Sequence, residues 1–178
     1  GSNTSYRACE GRIPYYFIWK SLEFRRFEKS KVKMAILKIA RMGHPVLARR
    51  ADAVEDPTDP EIHYLISDMI DTMQDAPGIG LAAPQVHVPK RVVVFYVPAS
   101  RAGDADGVGL TVLINPVIEP LSDEQNSDVE GCLSLPGMAG RVPRFSKIRY
   151  TALLPNGDSL SREGGGYHAR VVQHECDH

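Results

Sequence analysis

His174-Glu175-Cys176-Asp177-His178 is the stretch from which the rest of the chain is read. The segment from about Gly166 onward reads as a helix. On an α-helix, residues four apart are rotated by about 40° and separated by about 6 Å along the axis. His174 and His178 therefore project from one face and can reach one metal ion, and neutral imidazole suits Zn(II) and Fe(II) alike. Glu175 lies about 100° round from His174, a poor place for a third ligand but a good one for a general base acting on water beside a metal. Cys176, about 200° round, faces the core. Taken alone, the same five residues also describe a solvated helix with two histidines four apart by chance. A catalytic site further needs a third protein ligand and an open position, and this stretch holds no such ligand.

Glu130-Gly131-Cys132-Leu133-Ser134 supplies a candidate. As a thiolate, Cys132 completes a Cys/His/His set with a fourth position left for water. The alternative is a small buried hydrophobe, the common fate of a free cysteine. Gly78-Ile79-Gly80-Leu81-Ala82-Ala83-Pro84-Gln85 is the third element. It is no phosphate loop, because no Lys-Ser/Thr pair follows, and no strand leads into it as a dinucleotide fingerprint requires. Its glycines suit a loop lying close to a ligand, and the Gln85 amide is a neutral donor for an oxyanion. A plain turn followed by a buried loop fits these eight residues equally.

Around these motifs the periodicities are mixed. Asp59-Pro60-Glu61 is a helix opening, and Ile62, Leu65, Ile66, Met69, Ile70 and Met73 follow helical spacing, which predicts an amphipathic helix over 60–75 ended by Pro77-Gly78. Arg91–Val97 predicts a buried strand and Leu110–Asn115 a second. Lys147–Leu154 alternates and leads into Pro155-Asn156-Gly157-Asp158, a hairpin signal. Residues 101–109 and 122–128 are polar and predicted as loops. Strands in the middle and helices at both ends make the class α+β.

The 178 residues fit one domain, and 43% apolar residues suffice for a core. A net charge of −1 argues against a broad nucleic-acid-binding surface, and no apolar run is long enough to cross a bilayer. Three cysteines without a recognisable signal peptide point to a reducing compartment. Residues 1–33 hold 8 Lys/Arg against 3 Asp/Glu and 7 aromatics, a basic and aromatic bias that the remaining residues do not share. They read as a non-native or upstream extension, with a basic targeting peptide as the alternative, ahead of a domain spanning 34–178.

GIGLAAPQ, EGCLS and QHECDH, in that order, resemble the three signature motifs of the peptide deformylase family, a likeness that runs from about Met34 to His178. It implies an α+β fold in which antiparallel strands surround a central H-E-x-x-H helix. It also implies a metal-dependent hydrolase that removes the formyl group from the N-terminal Met of new polypeptides and releases formate. The family helix ordinarily continues past the second histidine, so the domain is expected to be truncated at its C-terminus.

Carried onto this chain, the resemblance assigns one divalent metal ion to Cys132, His174 and His178: Fe(II) in the cell, with Zn(II), Ni(II) or Co(II) as replacements. Glu175 would take the proton of the bound water and deliver it to the leaving amine. The Gln85 side chain and the Leu133 N–H would face the formyl oxygen. Ile79 and Val171 would wall the methionine pocket and Gly80 would pair with the extended peptide. Glu130 and Asp177 would accept hydrogen bonds from ligand imidazoles, with a surface or structural salt bridge as the alternative for each, and Arg170 would line the rim with its guanidinium toward solvent or backbone. His44, His63, His87 and His168 are expected not to bind the metal. The implied partner is an N-formylmethionyl nascent peptide, with the ribosome exit region as a further one, in a bacterial cytoplasm or alternatively an organelle matrix; no nucleic-acid site or membrane contact is implied. Two other readings remain: a zinc endopeptidase, from H-E-x-x-H alone, and a metal-poor, non-catalytic peptide-binding form, because a ligand in a terminal turn frays.

Overall fold

The computed structural model describes residues 35–102 and 107–178; the expected extension over 1–33 lies outside them. Helix α1 spans Pro60–Asp75, with Asp59 accepting from the Glu61 amide at its start. Seven strands follow: β1 (Gly80–Ala82), β2 (Val92–Val97), β3 (Val108–Pro120), β4 (Gln125–Gly131), β5 (Ala139–Phe145), β6 (Lys147–Leu153) and β7 (Ser159–Gly165). Helix α2, Gly166–Asp177, comes last. Five strands form one antiparallel sheet in the order β1-β2-β3-β6-β7, and β4 pairs with β5 in a separate two-stranded sheet. No helix among the described residues is long and apolar enough to cross a membrane.

The apolar run of β2 is explained by burial on both faces. Val92 and Val94, with Val112 and Ile114 of β3, pack under Ile66, Met69, Ile70 and Met73 of α1. Their alternate neighbours Val93, Phe95, Val97 and Leu113 join Ile148 and Tyr150 against Ala169, Val171 and Val172 of α2. A strand with apolar partners on both sides shows no alternation. The large sheet thus lies between the two helices, and α2 also meets β5 of the small sheet.

Three boundaries differ from the sequence reading. Strand β3 runs on to Pro120, past a register shift between Ile114 and Val117. Asn115 sits there at φ 53°, a conformation asparagine tolerates better than most residues, and its side chain exchanges two hydrogen bonds of 2.8 Å with the Val54 backbone. Residues 125–128, expected in a loop, belong to β4. This strand is exposed along most of its length, so it carries no apolar period to betray it. Gly80–Ala82, expected in a loop, is a short edge strand.

In the first turn of α2, His168 is wedged against Phe95 and Tyr150, with Nε2 3.0 Å from the Tyr150 hydroxyl. Burial, helped by Arg162, pushes its pKa below the usual histidine range. The unfolded chain therefore takes up a proton before the folded one does, so stability is full above about pH 6.5 and falls as the pH drops. Urea melts of the parent and His168→Gln should show a constant stability difference above that pH, with the parent's advantage shrinking below it. Parallel curves down to pH 5 would contradict this.

Candidate metal centre

The separated motifs meet at the junction of the two sheets with α2. Cys132 follows β4 directly, while His174 and His178 come from the last turns of α2. One donor atom from each lies within 4.8 Å of the others. The Cys132 Sγ is 3.3 Å from His178 Nε2. His174 Nδ1 lies 2.8 Å from Glu130 Oε2, which leaves Nε2 as the atom for an ion. Burial raises the Cys132 thiol, but hydrogen bonds from His174, His178 and the Ser134 backbone outweigh it and hold the pKa down at about 5. The same sulfur, against burial and with help from Glu175 and Glu130, lifts His174 to about 9.

Glu175 is 5% exposed, and its Oε2 has no hydrogen-bond partner. Burial pushes its pKa up to about 7, against the pull of His174 and His178. A buried carboxylate oxygen without a partner, beside a thiolate and two imidazoles, fits a site built for a divalent cation and the water it holds. Gly80 makes this approach possible, because a Cβ there would stand 2.1 Å from Glu175 Oε1. Gly80→Ala should displace the carboxylate, costing about 1–3 kcal/mol of stability and well over half of any turnover; chemical melts and rate measurements on one preparation check both. An unperturbed variant would show that the carboxylate has room to spare.

Gln85 is 1% exposed and oriented at both ends of its amide. Its Oε1 accepts from the Ala82 amide at 2.9 Å. Its Nε2 donates to Ser134 Oγ at 3.1 Å and to Cys132 Sγ at 3.4 Å. An amide nitrogen therefore points at the sulfur, in the neighbourhood of the Leu133 backbone. Val171 is buried in the apolar cluster against which Ile79 packs.

Asp177 takes the salt bridge that was its alternative, pairing with Arg144 rather than with an imidazole. Arg170 is 6% exposed, not at a rim. Its guanidinium donates to Glu130 Oε1 at 2.7 Å and to the carbonyls of Val142 at 2.8 Å and Asn126 at 2.6 Å. Arg144 grips Glu130 with two 3.0 Å bonds. Burial opposes the Glu130 charge, but Arg144, His174 and Arg170 bring its pKa to about 2. Arg144 and Ser134 had no assigned role in the sequence reading; their roles depend on contacts that local spacing does not reveal. Cys176 packs on the α2 side of the large sheet, where burial, then Glu175 and Asp177, raise its thiol to about 12. His44 caps a short turn, and His63 sits 2.8 Å from the Pro155 carbonyl.

This arrangement has close relatives. The polypeptide deformylase family profile matches residues 36–178. Peptide deformylase 1 of Bordetella pertussis is 52% identical over 141 residues, covering 79% of this chain and 80% of that one. Peptide deformylase 1 of Nitrosomonas europaea is 50% identical over the same share of each chain. Among solved structures, the peptide deformylase of Ehrlichia chaffeensis superposes with a TM-score of 0.75 at 35% identity, over 80% of this chain and 82% of that chain. The class I type b peptide deformylase of Acinetobacter baumannii with bound Met-Ala-Ser gives 0.75 at 33% identity, over 81% and 92%. A match over nearly all the described residues, together with the meeting of three separated motifs around one sulfur, places this chain in the polypeptide deformylase family.

Proposed function

We propose that the chain is a metal-dependent hydrolase that removes the formyl group from the N-terminal methionine of nascent polypeptides, with Cys132, His174 and His178 as ligands of one divalent ion. The observation that most supports it is the convergence of those three donors beside the partnerless Glu175 oxygen and the Gln85 amide. The peptide deformylase relatives support the reaction, and the Met-Ala-Ser bound to the Acinetobacter enzyme supports a peptide beginning with methionine as ligand.

When bound, the cation supplies Lewis acidity and lowers the pKa of its water toward neutrality. Every remaining task falls to side chains and backbone. Glu175 takes the water proton on a carboxylate oxygen and passes it to the departing amine. The Gln85 Nε2–H that faces the Cys132 sulfur, its other hydrogen held by Ser134 Oγ, turns with the Leu133 N–H to the formyl oxygen as it gains negative charge, where losing one such donor costs about 3–4 kcal/mol of barrier. Ile79 and Val171 wall the methionine side chain. Gly80 lies in β1, an edge strand of its sheet, where an extended peptide can pair.

The finer assignments belong to the same proposal. Fe(II) is the ion in the cell, with Zn(II), Ni(II) or Co(II) able to replace it; a Cys/His/His set accepts all four. The compartment is a bacterial cytoplasm, and the polypeptide is met as it leaves the ribosome. The direct test is formate release from N-formyl-Met-Ala by the metal-loaded chain, run beside a peptide offering only internal bonds. Formate with no internal cleavage is expected. Internal cleavage without formate would make the protein an endopeptidase.

A further inference from the structure

The two donors assigned to the formyl oxygen sit on different segments, Gln85 in a short 3-10 helix after β1 and Leu133 in a turn after β4, and those strands lie in different sheets. No ladder joins them. Three consecutive residues of the N-terminal segment bridge them from outside. The Ala40 amide donates to the Gln85 carbonyl at 2.7 Å, and the Met42 amide to the Ser134 carbonyl at 3.0 Å. Between them the Arg41 guanidinium donates through one Nη to the Leu133 carbonyl at 3.1 Å. On the inner side, Gln85 Nε2 closes the ring onto Ser134 Oγ.

We propose that Arg41 is a positioning residue for the deformylation step: with the amides of Ala40 and Met42 it holds the Leu133 loop at a fixed distance from Gln85. This rests on the reading of the site as a deformylase centre and adds to it a residue outside the three motifs. Ala40 and Met42 contribute through backbone amides, which side-chain exchange does not delete. Arg41 is the one member of the strap whose contribution is a side chain, and so the one that mutation can remove. Its side chain is exposed, so its loss leaves no buried charge or cavity behind.

The donors are strained hardest when the formyl oxygen carries charge, so loosening them raises the barrier more than it weakens substrate binding. A misplacement on the ångström scale costs up to about 100-fold. Because the two backbone bonds of the strap persist, Arg41→Ala is expected to lower kcat by roughly tenfold, with KM within twofold. Zn(II) affinity and the melting temperature should match the parent. Arg41→Lys, which keeps one donor to the carbonyl, should recover much of the loss.

The measurement is kcat and KM for N-formyl-Met-Ala in parent, Arg41→Ala and Arg41→Lys, with Zn(II) titration and thermal melts on the same preparations. An unchanged kcat in Arg41→Ala overturns the proposal, because the hydrogen bond is then a surface contact only. A rise in KM alone overturns it in favour of substrate binding, and a parallel fall in Zn(II) affinity or melting temperature in favour of a merely structural role. Failure of the deformylase reading would be distinguished by the parent, which would release no formate at all.

Discussion

Glu175→Gln should reduce formate release from N-formyl-Met-Ala by about 10³-fold, within the range of about 10²–10⁴ that a positioned acid–base group contributes. The carboxylate is surrounded by the two histidines, the thiolate and the wall at Gly80, and its Oε2 has no other partner. The amide has nearly the same shape but cannot accept and return a proton, so KM should move little while kcat collapses. Stability should move the other way. In the metal-free protein, burial raises the Glu175 pKa from 4.5 to about 7. A group raised in this way contributes stability fully present below about pH 4.5 and lost as the pH climbs through about 7. The glutamine carries no charge to bury, so at pH 8 the metal-free variant should melt above the metal-free parent, and at pH 5 the gap should close. A variant with turnover within tenfold of the parent would remove Glu175 as the base. A variant that melts lower at pH 8 would mean that the carboxylate has a partner in solution.

That opposition explains which parts of the molecule could be read in the sequence. The α1 stripe from Ile62 to Met73 and the two-faced run of β2 exist because they bury apolar surface, and burial leaves a period or a run. The three donors that converge were legible for another reason: metal chemistry restricts residue type and spacing, so His174 and His178 stand one turn apart and Cys132 stands out in a glycine-flanked motif. The small sheet was not legible. Strands β4 and β5 are largely exposed, and apart from Phe145, which packs on the α2 cluster, they are fastened to α2 by polar bonds. Gln173 pairs with both backbone groups of Phe145 as a neighbouring strand would, donating to its carbonyl and accepting from its amide. Arg170 reaches 40 residues back to Glu130, and Arg41 reaches 92 forward to Leu133. Such contacts impose no local pattern, since any exposed-looking arginine can make them once the chain has folded. The rim position that the resemblance implied for Arg170 is therefore wrong in space, while the contact of its guanidinium with backbone holds. Asp177 takes its salt-bridge alternative for the same reason, because its partner Arg144 comes from the small sheet.

The Cys132 sulfur and the two imidazoles thus belong to substructures that share no ladder, and Glu130 is the hub between them. It accepts two bonds from Arg144, one from Arg170 and one from His174, with a side chain 8% exposed. Glu130→Gln keeps the shape but deletes the charge beneath two guanidiniums that are 12% and 7% exposed. Removing one partner from a buried ion cluster costs about 3–5 kcal/mol, and Arg144 keeps Asp177, so about 3 kcal/mol is expected. Weakening the acceptor behind His174 should also lower Zn(II) affinity by about 10–100-fold. The two losses separate in a second variant. Glu130→Leu with Arg170→Leu removes Glu130 and one of its two guanidiniums together while Arg144 keeps Asp177, so part of the stability should return. The acceptor for His174 Nδ1 remains absent, so the affinity should not. Denaturant melts and competitive Zn(II) titrations on the parent and both variants read the two quantities independently. Parent-like affinity in Glu130→Gln would show that the imidazole is oriented by packing alone. Recovery of affinity in the double variant would show that Glu130 serves the sheet and not the metal.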